Sequence, residues 1–91
     1  MTSLFGFVYH ERSLDYLQTL QQKTRKQIIN KVQALASNPV PAHAKLVQGM
    51  TDGEERVYRI RSGDYRVLYV ARKNPDHVVV LDIDHRKDVY R

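Results

Sequence analysis

The clearest hydrophobic pattern lies in the last third of the chain. Residues 57–62 (VYRIRS) and 65–72 (YRVLYVAR) are rich in Val, Ile and Tyr, with arginines recurring at strand spacing, and side chains alternate between the two faces of a strand. Gly63-Asp64 separates the two runs, and glycine at the first position of a two-residue loop signals a primed hairpin turn. That turn sets Ser62 opposite Tyr65, Arg61 opposite Arg66, Ile60 opposite Val67 and Arg59 opposite Leu68. Directly opposed residues share a face. Arg59, Arg61 and Arg66 therefore stand on one side of the predicted sheet, and Tyr58, Ile60, Val67 and Tyr69 on the other. A further strand follows the turn at residues 73–77: residues 78–81 are continuously apolar and residues 82–85 alternate, which predicts a strand that is central at first and faces solvent at its end.

Upstream the period changes. Residues 4–9 (LFGFVY) read as a first strand with Gly6 as a weak point. His10 or Glu11 opens the next element, in which Leu14, Leu17 and Leu20 recur beside Tyr16, predicting a short amphipathic helix to about Gln22. Thr24-Arg25-Lys26-Gln27 has the form of a capping box. The stripe Ile28, Ile29, Val32, Leu35, Ala36 then predicts a second helix. Pro39 disfavours helical geometry at Asn38, so this helix stops there. Residues 38–43 read as a loop, residues 44–50 show no strong period, and residues 51–55 form a polar turn. The predicted order is β-α-α-β-β-β, an α+β fold: a small, largely antiparallel sheet with a helical hairpin on one face. Its other face, left open, carries the arginines.

Composition narrows the class. Ninety-one residues make a single domain spanning 1–91, with one modest core. Cysteine is absent, which rules out disulfides and cysteine-based metal sites and fits a reducing, cytoplasmic setting. No apolar run is long enough for a membrane span, no signal peptide is evident at the start, and no membrane partner is expected. The formal charge is +5 and is uneven: residues 1–55 carry six Lys/Arg against five Asp/Glu, residues 56–91 nine against five. The basic excess lies with the hairpin and the tail His85-Arg86-Lys87-Asp88-Val89-Tyr90-Arg91. Such clustering is the footprint of a nucleic acid or an acidic protein partner. Three arginines on one face suit a bridging phosphate; alternatively they form a solvated surface, or pair with Asp82 and Asp84. His10, His43 and His77 are scattered, lack metal-ligand spacing and read as surface or turn residues. No Gly-rich phosphate loop or Ser-His-Asp pattern is present.

The order of elements, Tyr58-Arg-Ile-Arg-Ser-Gly-Asp-Tyr-Arg-Val-Leu-Tyr69 and the ending His85-Arg-Lys-Asp-Val-Tyr90 together resemble the RelE/ParE superfamily of toxins, the RelE branch most closely. The resemblance covers almost the whole chain. It implies a single RelE-like toxin domain of a type II toxin–antitoxin system. It further implies a metal-independent, cofactor-free mRNA interferase that works in the ribosomal A site and inhibits translation, by attack of the ribose 2′-OH on the adjacent phosphate. The partners it implies are an acidic RelB-like antitoxin, the ribosome and mRNA, and a toxin–antitoxin complex that binds promoter DNA. Carried onto this sequence, Arg59 and Arg61 match two positions that are lysine in the best-known branch. Arg66 matches a basic residue on the next strand, Arg86 an arginine after the last strand, and Tyr90 a C-terminal tyrosine that orients substrate. Lys45 resembles a basic position before the hairpin, and Lys87 joins it as an RNA contact. Arginine stays protonated and is a poor general base, so the proton acceptor is left open; His85 is the expected candidate, because imidazole titrates near neutrality. Strict alternation sets His85 and Arg86 on opposite faces, so the chain must bend for both to reach one substrate. A ParE-like inhibitor of DNA gyrase that cuts nothing, and an inactive antitoxin-binding member, stay open as alternatives.

Overall fold

In a computed structural model, which describes residues 6–73 and 76–86, a short strand β1 (Gly6–Tyr9) leads into helices α1 (Glu11–Gln18) and α2 (Gln22–Gln33) and a 3-10 turn (Ala34–Ala36). Four strands follow: β2 (Lys45–Asp52), β3 (Glu55–Ser62), β4 (Tyr65–Arg72) and β5 (His77–His85). They form one sheet in the order β1-β5-β4-β3-β2. β1 pairs with β5 in parallel and every other pair is antiparallel. Among the described residues no helix is long and apolar enough to cross a membrane.

The central hairpin has the register that its two-residue turn sets. Ser62 pairs with Tyr65, Arg61 with Arg66, Ile60 with Val67 and Arg59 with Leu68. Gly63 turns the chain at φ +59°, the left-handed backbone that a primed turn requires and glycine adopts without steric cost. Ile60, Val67 and Tyr69 face the helices and meet Leu17, Ile28, Val32 and Leu35 in one core, with Val78, Val80 and Ile83 from β5. A bulge between Leu68 and Tyr69 on the β4–β5 ladder adds a residue on β5, which lets Val80 and Ile83 both reach this core. Arg12 of α1 donates through Nε to the carbonyl of Leu81 at 2.9 Å, tying α1 to the bulge.

Three elements differ from the sequence expectation. Residues 45–52 are a full strand, which makes five strands rather than four. Its period is broken by Gly49 at φ +74° and by a register shift between Leu46 and Thr51, so no alternation marks it. Helix α2 begins at Gln22, ahead of Thr24, and its N-cap Gln21 makes no side-chain capping bond; the Thr24–Gln27 box therefore lies inside the helix. Helix α1 stops at Gln18, where the Thr19 hydroxyl and N–H both donate to the carbonyl of Tyr16. The buried side of α1 is formed by Ser13 and Leu17, and Leu14, expected on the apolar stripe, stays 44% exposed.

The loop from α2 to β2 is fixed to the core at one point. The Tyr69 phenol, fully buried, donates to the carbonyl of Pro39 at 2.6 Å. Burial first, and the neighbouring Tyr58 second, raise the pKa of this phenol well above its ordinary value, so it remains a donor at neutral pH.

Candidate functional site

The face without helices is divided by charge. At one end Arg72 of β4 bridges Asp52 of β2 and Glu55 of β3, the second at 3.3 Å. Val57 and Val70 are fully buried nearby. Val47, Met50 and Leu68 line a hollow with Arg59 and Arg66. At the other end lies the basic cluster.

Arg61 and Arg66 stand directly opposite each other, an arrangement unfavourable by about 0.2–1 kcal/mol if nothing offsets it. The second neighbour of β4 supplies the offset. Asp84 of β5 pairs with Arg66, and its Oδ1 lies 3.2 Å from the Arg66 Nε. Arg66 also donates to the carbonyl of His85 at 3.4 Å and is only 9% exposed. Arg66 is thus a held, neutralised cation at the inner wall of the cluster.

Its neighbours are held differently. A cavity of about 430 Å³ is lined by Lys31, His43, Lys45, Arg59 and Arg61. Lys45 pairs with Arg59 in the sheet, and His43 reaches the cavity from the turn just before β2, where the Ala44 N–H donates to the carbonyl of Pro41 at 3.0 Å. β2 starts only at Lys45, so the last residues of β3 form an open edge, and Lys31 of α2 closes the cavity there. Among the described residues none of Lys31, Lys45, Arg59 and Arg61 is in an ion pair with a carboxylate. The Nε of Arg59 is buried and has no hydrogen-bond partner among them. A buried, unmatched guanidinium N–H costs free energy, and an incoming anion would supply its acceptor.

The sequence-derived candidates fall into three groups. Lys45, Arg59 and Arg61 share the cavity, with Arg66 beside them. His85 does not join them. It pairs with Tyr65 on the helix-covered face, their rings 5.0 Å apart, and Tyr65 packs on Tyr16 of α1. The bend that would bring His85 beside the arginines is absent; instead the pairing continues, with the Arg86 N–H donating to the carbonyl of Asp64 at 2.8 Å. Asp64 also takes the Arg86 guanidinium at 3.4 Å and lies 4.0 Å from the His85 ring. His85 and Arg86 thus meet at the tip of the hairpin, outside the cavity. Lys87 and Tyr90 lie outside the described residues.

Two cavity residues, Lys31 and His43, went unrecognised in the sequence. Lys31 sits on the polar side of the α2 stripe, where a solvated lysine is unremarkable. His43 is the exposed turn residue that the sequence suggests, and it gains significance only because that turn lines the cavity with Arg59 and Arg61.

A family model for the ParE toxin of type II toxin–antitoxin systems, parDE, matches residues 7–90. The chain is 28% identical over 87 residues to the "Putative toxin RelE1" of Methanocaldococcus jannaschii, covering 96% of each. It superposes on a chain of the archaeal RelE–RelB complex from Pyrococcus horikoshii OT3 with a TM-score of 0.77 and 24% identity, covering 94% of this chain and 99% of that one. A chain of the toxin–antitoxin complex RelBE2 from Mycobacterium tuberculosis also gives a TM-score of 0.77, at 21% identity, covering 97% of this chain and 98% of that one. At those identities the structures speak for the fold, and the family match speaks for descent: the chain is a RelE-like member of the ParE toxin family of type II toxin–antitoxin systems.

Proposed function

We propose that this toxin is an endoribonuclease that cuts mRNA in the ribosomal A site and so stops translation. The observation that carries this reading is the cavity itself: five basic side chains around one concavity, with no carboxylate paired to its lysines and arginines among the described residues. Guanidinium forks match phosphate oxygens two at a time. Arg59 and Arg61 would hold the scissile phosphate and stabilise the charge that builds on it, with Lys45 and Lys31 on the flanking backbone. In this scheme the ribose 2′-oxygen attacks the adjacent phosphorus and the 5′-oxygen leaves, a route that asks for no metal. Arg66, neutralised by Asp84, would brace the inner wall behind the phosphate. Arg86, Lys87 and Tyr90, which follow β5, would contact RNA on the leaving-group side.

By analogy with the RelE–RelB and RelBE2 complexes, the partner is an acidic antitoxin laid over the basic face, and the joint complex binds promoter DNA. If charge carries much of that affinity, it weakens as salt rises. A dissociation constant unchanged between low and high salt would contradict this.

One observation favours a second reading. The matching family model is that of ParE, and a ParE-like toxin would inhibit DNA gyrase by binding. Two assays on the purified toxin separate these. The nuclease reading expects loss of protein synthesis in a purified translation system, with gyrase supercoiling untouched. Loss of supercoiling with translation intact would instead establish the gyrase reading.

A further inference from the structure

We propose that His43 is the proton acceptor for the ribose 2′-hydroxyl, an inference that rests on the nuclease reading above. The cavity has five lining side chains, and the groups facing His43 are Lys31 from α2, Lys45 from β2, and Arg59 and Arg61 from β3. Arginine remains charged at any ordinary pH. Of the residue types present, only imidazole readily gains and loses a proton near neutrality. A phosphate held by Arg59 and Arg61 would place its ribose against the wall that His43 forms, because His43 lines the same cavity from the turn that leads into β2. His85, which precedes Arg86 at the end of β5, lies against Tyr65 on the helix-covered face of the sheet, the face opposite to that of Arg59 and Arg61.

The step balances without any further reagent. The 2′-hydroxyl proton passes to the free ring nitrogen of His43 while the 2′-oxygen bonds to phosphorus. The P–O5′ bond breaks, and the departing 5′-oxygen takes a proton from water. The hydroxide so formed removes the proton from the imidazolium. The products are a 2′,3′-cyclic phosphate and a 5′-hydroxyl end.

The test is single-turnover cleavage of mRNA on programmed ribosomes by wild type, His43→Gln and His43→Ala, across pH. General-base catalysis contributes typically about 10²–10⁴-fold, so His43→Gln should lose roughly 100-fold or more with ribosome binding retained. The low-pH fall in the rate should vanish in that variant, and added imidazole should partly restore His43→Ala. Wild-type rates and pH profile in His43→Gln would overturn the assignment while leaving the nuclease reading intact. So would a loss confined to His85→Gln. Failure of the wild type to cut at all would remove the nuclease reading and this inference with it.

Discussion

Tyr69 shows how one residue joins core to site. Its ring fills the core and its hydroxyl holds the carbonyl of Pro39, four residues before His43 in the chain. Tyr69→Phe leaves that carbonyl without its donor and should cost about 1–3 kcal/mol in urea unfolding. The same phenol makes stability depend on alkali. Its folded pKa is raised above the ordinary value of 10.0, so its contribution is whole below that pH and is lost as pH rises from there through the folded value. Tyr9 is shifted in the same direction by burial. Wild-type stability should therefore fall above about pH 10, and Tyr69→Phe should fall less steeply over the same range. Identical slopes would contradict the assignment. At this scale the arginine face was legible, because a two-residue turn fixes every opposed pair. Pairing of the arginines with Asp82 or Asp84 was one of the readings open; which arginine takes which carboxylate was not legible, since Asp84 is eighteen residues from Arg66 on a neighbouring strand.

Among the elements, the hairpin β3–β4 is the one on which the cavity depends, and Gly63 is its pivot. A side chain at φ +59° is strained even where space is free: nothing lies within 4 Å of a Cβ built there. Gly63→Val should therefore destabilise by about 1–2 kcal/mol through the backbone alone, measured by thermal or urea melts; an unchanged midpoint would show that the turn relaxes. Strand β2 marks the limit of reading periods from sequence. Its bulge at Gly49 hides the alternation; His43 is a turn residue as its sequence context suggests, and what the hidden strand concealed is that this turn abuts the end of β3. The capping box at Thr24 shows the reverse error: favourable local chemistry was overruled, and α2 extends back to Gln22. The side on which His85 falls follows from its pairing with Tyr65, whereas the sequence left room for a bend at that point.

For the whole molecule, charge is organised by topology. The helices cover one face with apolar contacts, and the other face ends in a basic cluster in which Arg66 pairs with Asp84 while Lys45, Arg59 and Arg61 are in no ion pair with a carboxylate among the described residues. The Arg72 cluster with Asp52 and Glu55 neutralises the far end, so the positive potential is concentrated at the cavity. Lys45, Arg59 and Arg61 on two strands, His43 in a turn and Lys31 on a helix share that cavity only because the fold brings the start of β2, the end of β3 and α2 together. The measurement that tests this most directly is primer extension on a defined mRNA in a purified translation system, comparing wild type with Arg59→Ala/Arg61→Ala. The account predicts ribosome-dependent A-site cuts by the wild type, reduced by roughly 100-fold or more in the double variant, with both proteins folded. Equal cutting by the double variant, or none by the wild type, would contradict it.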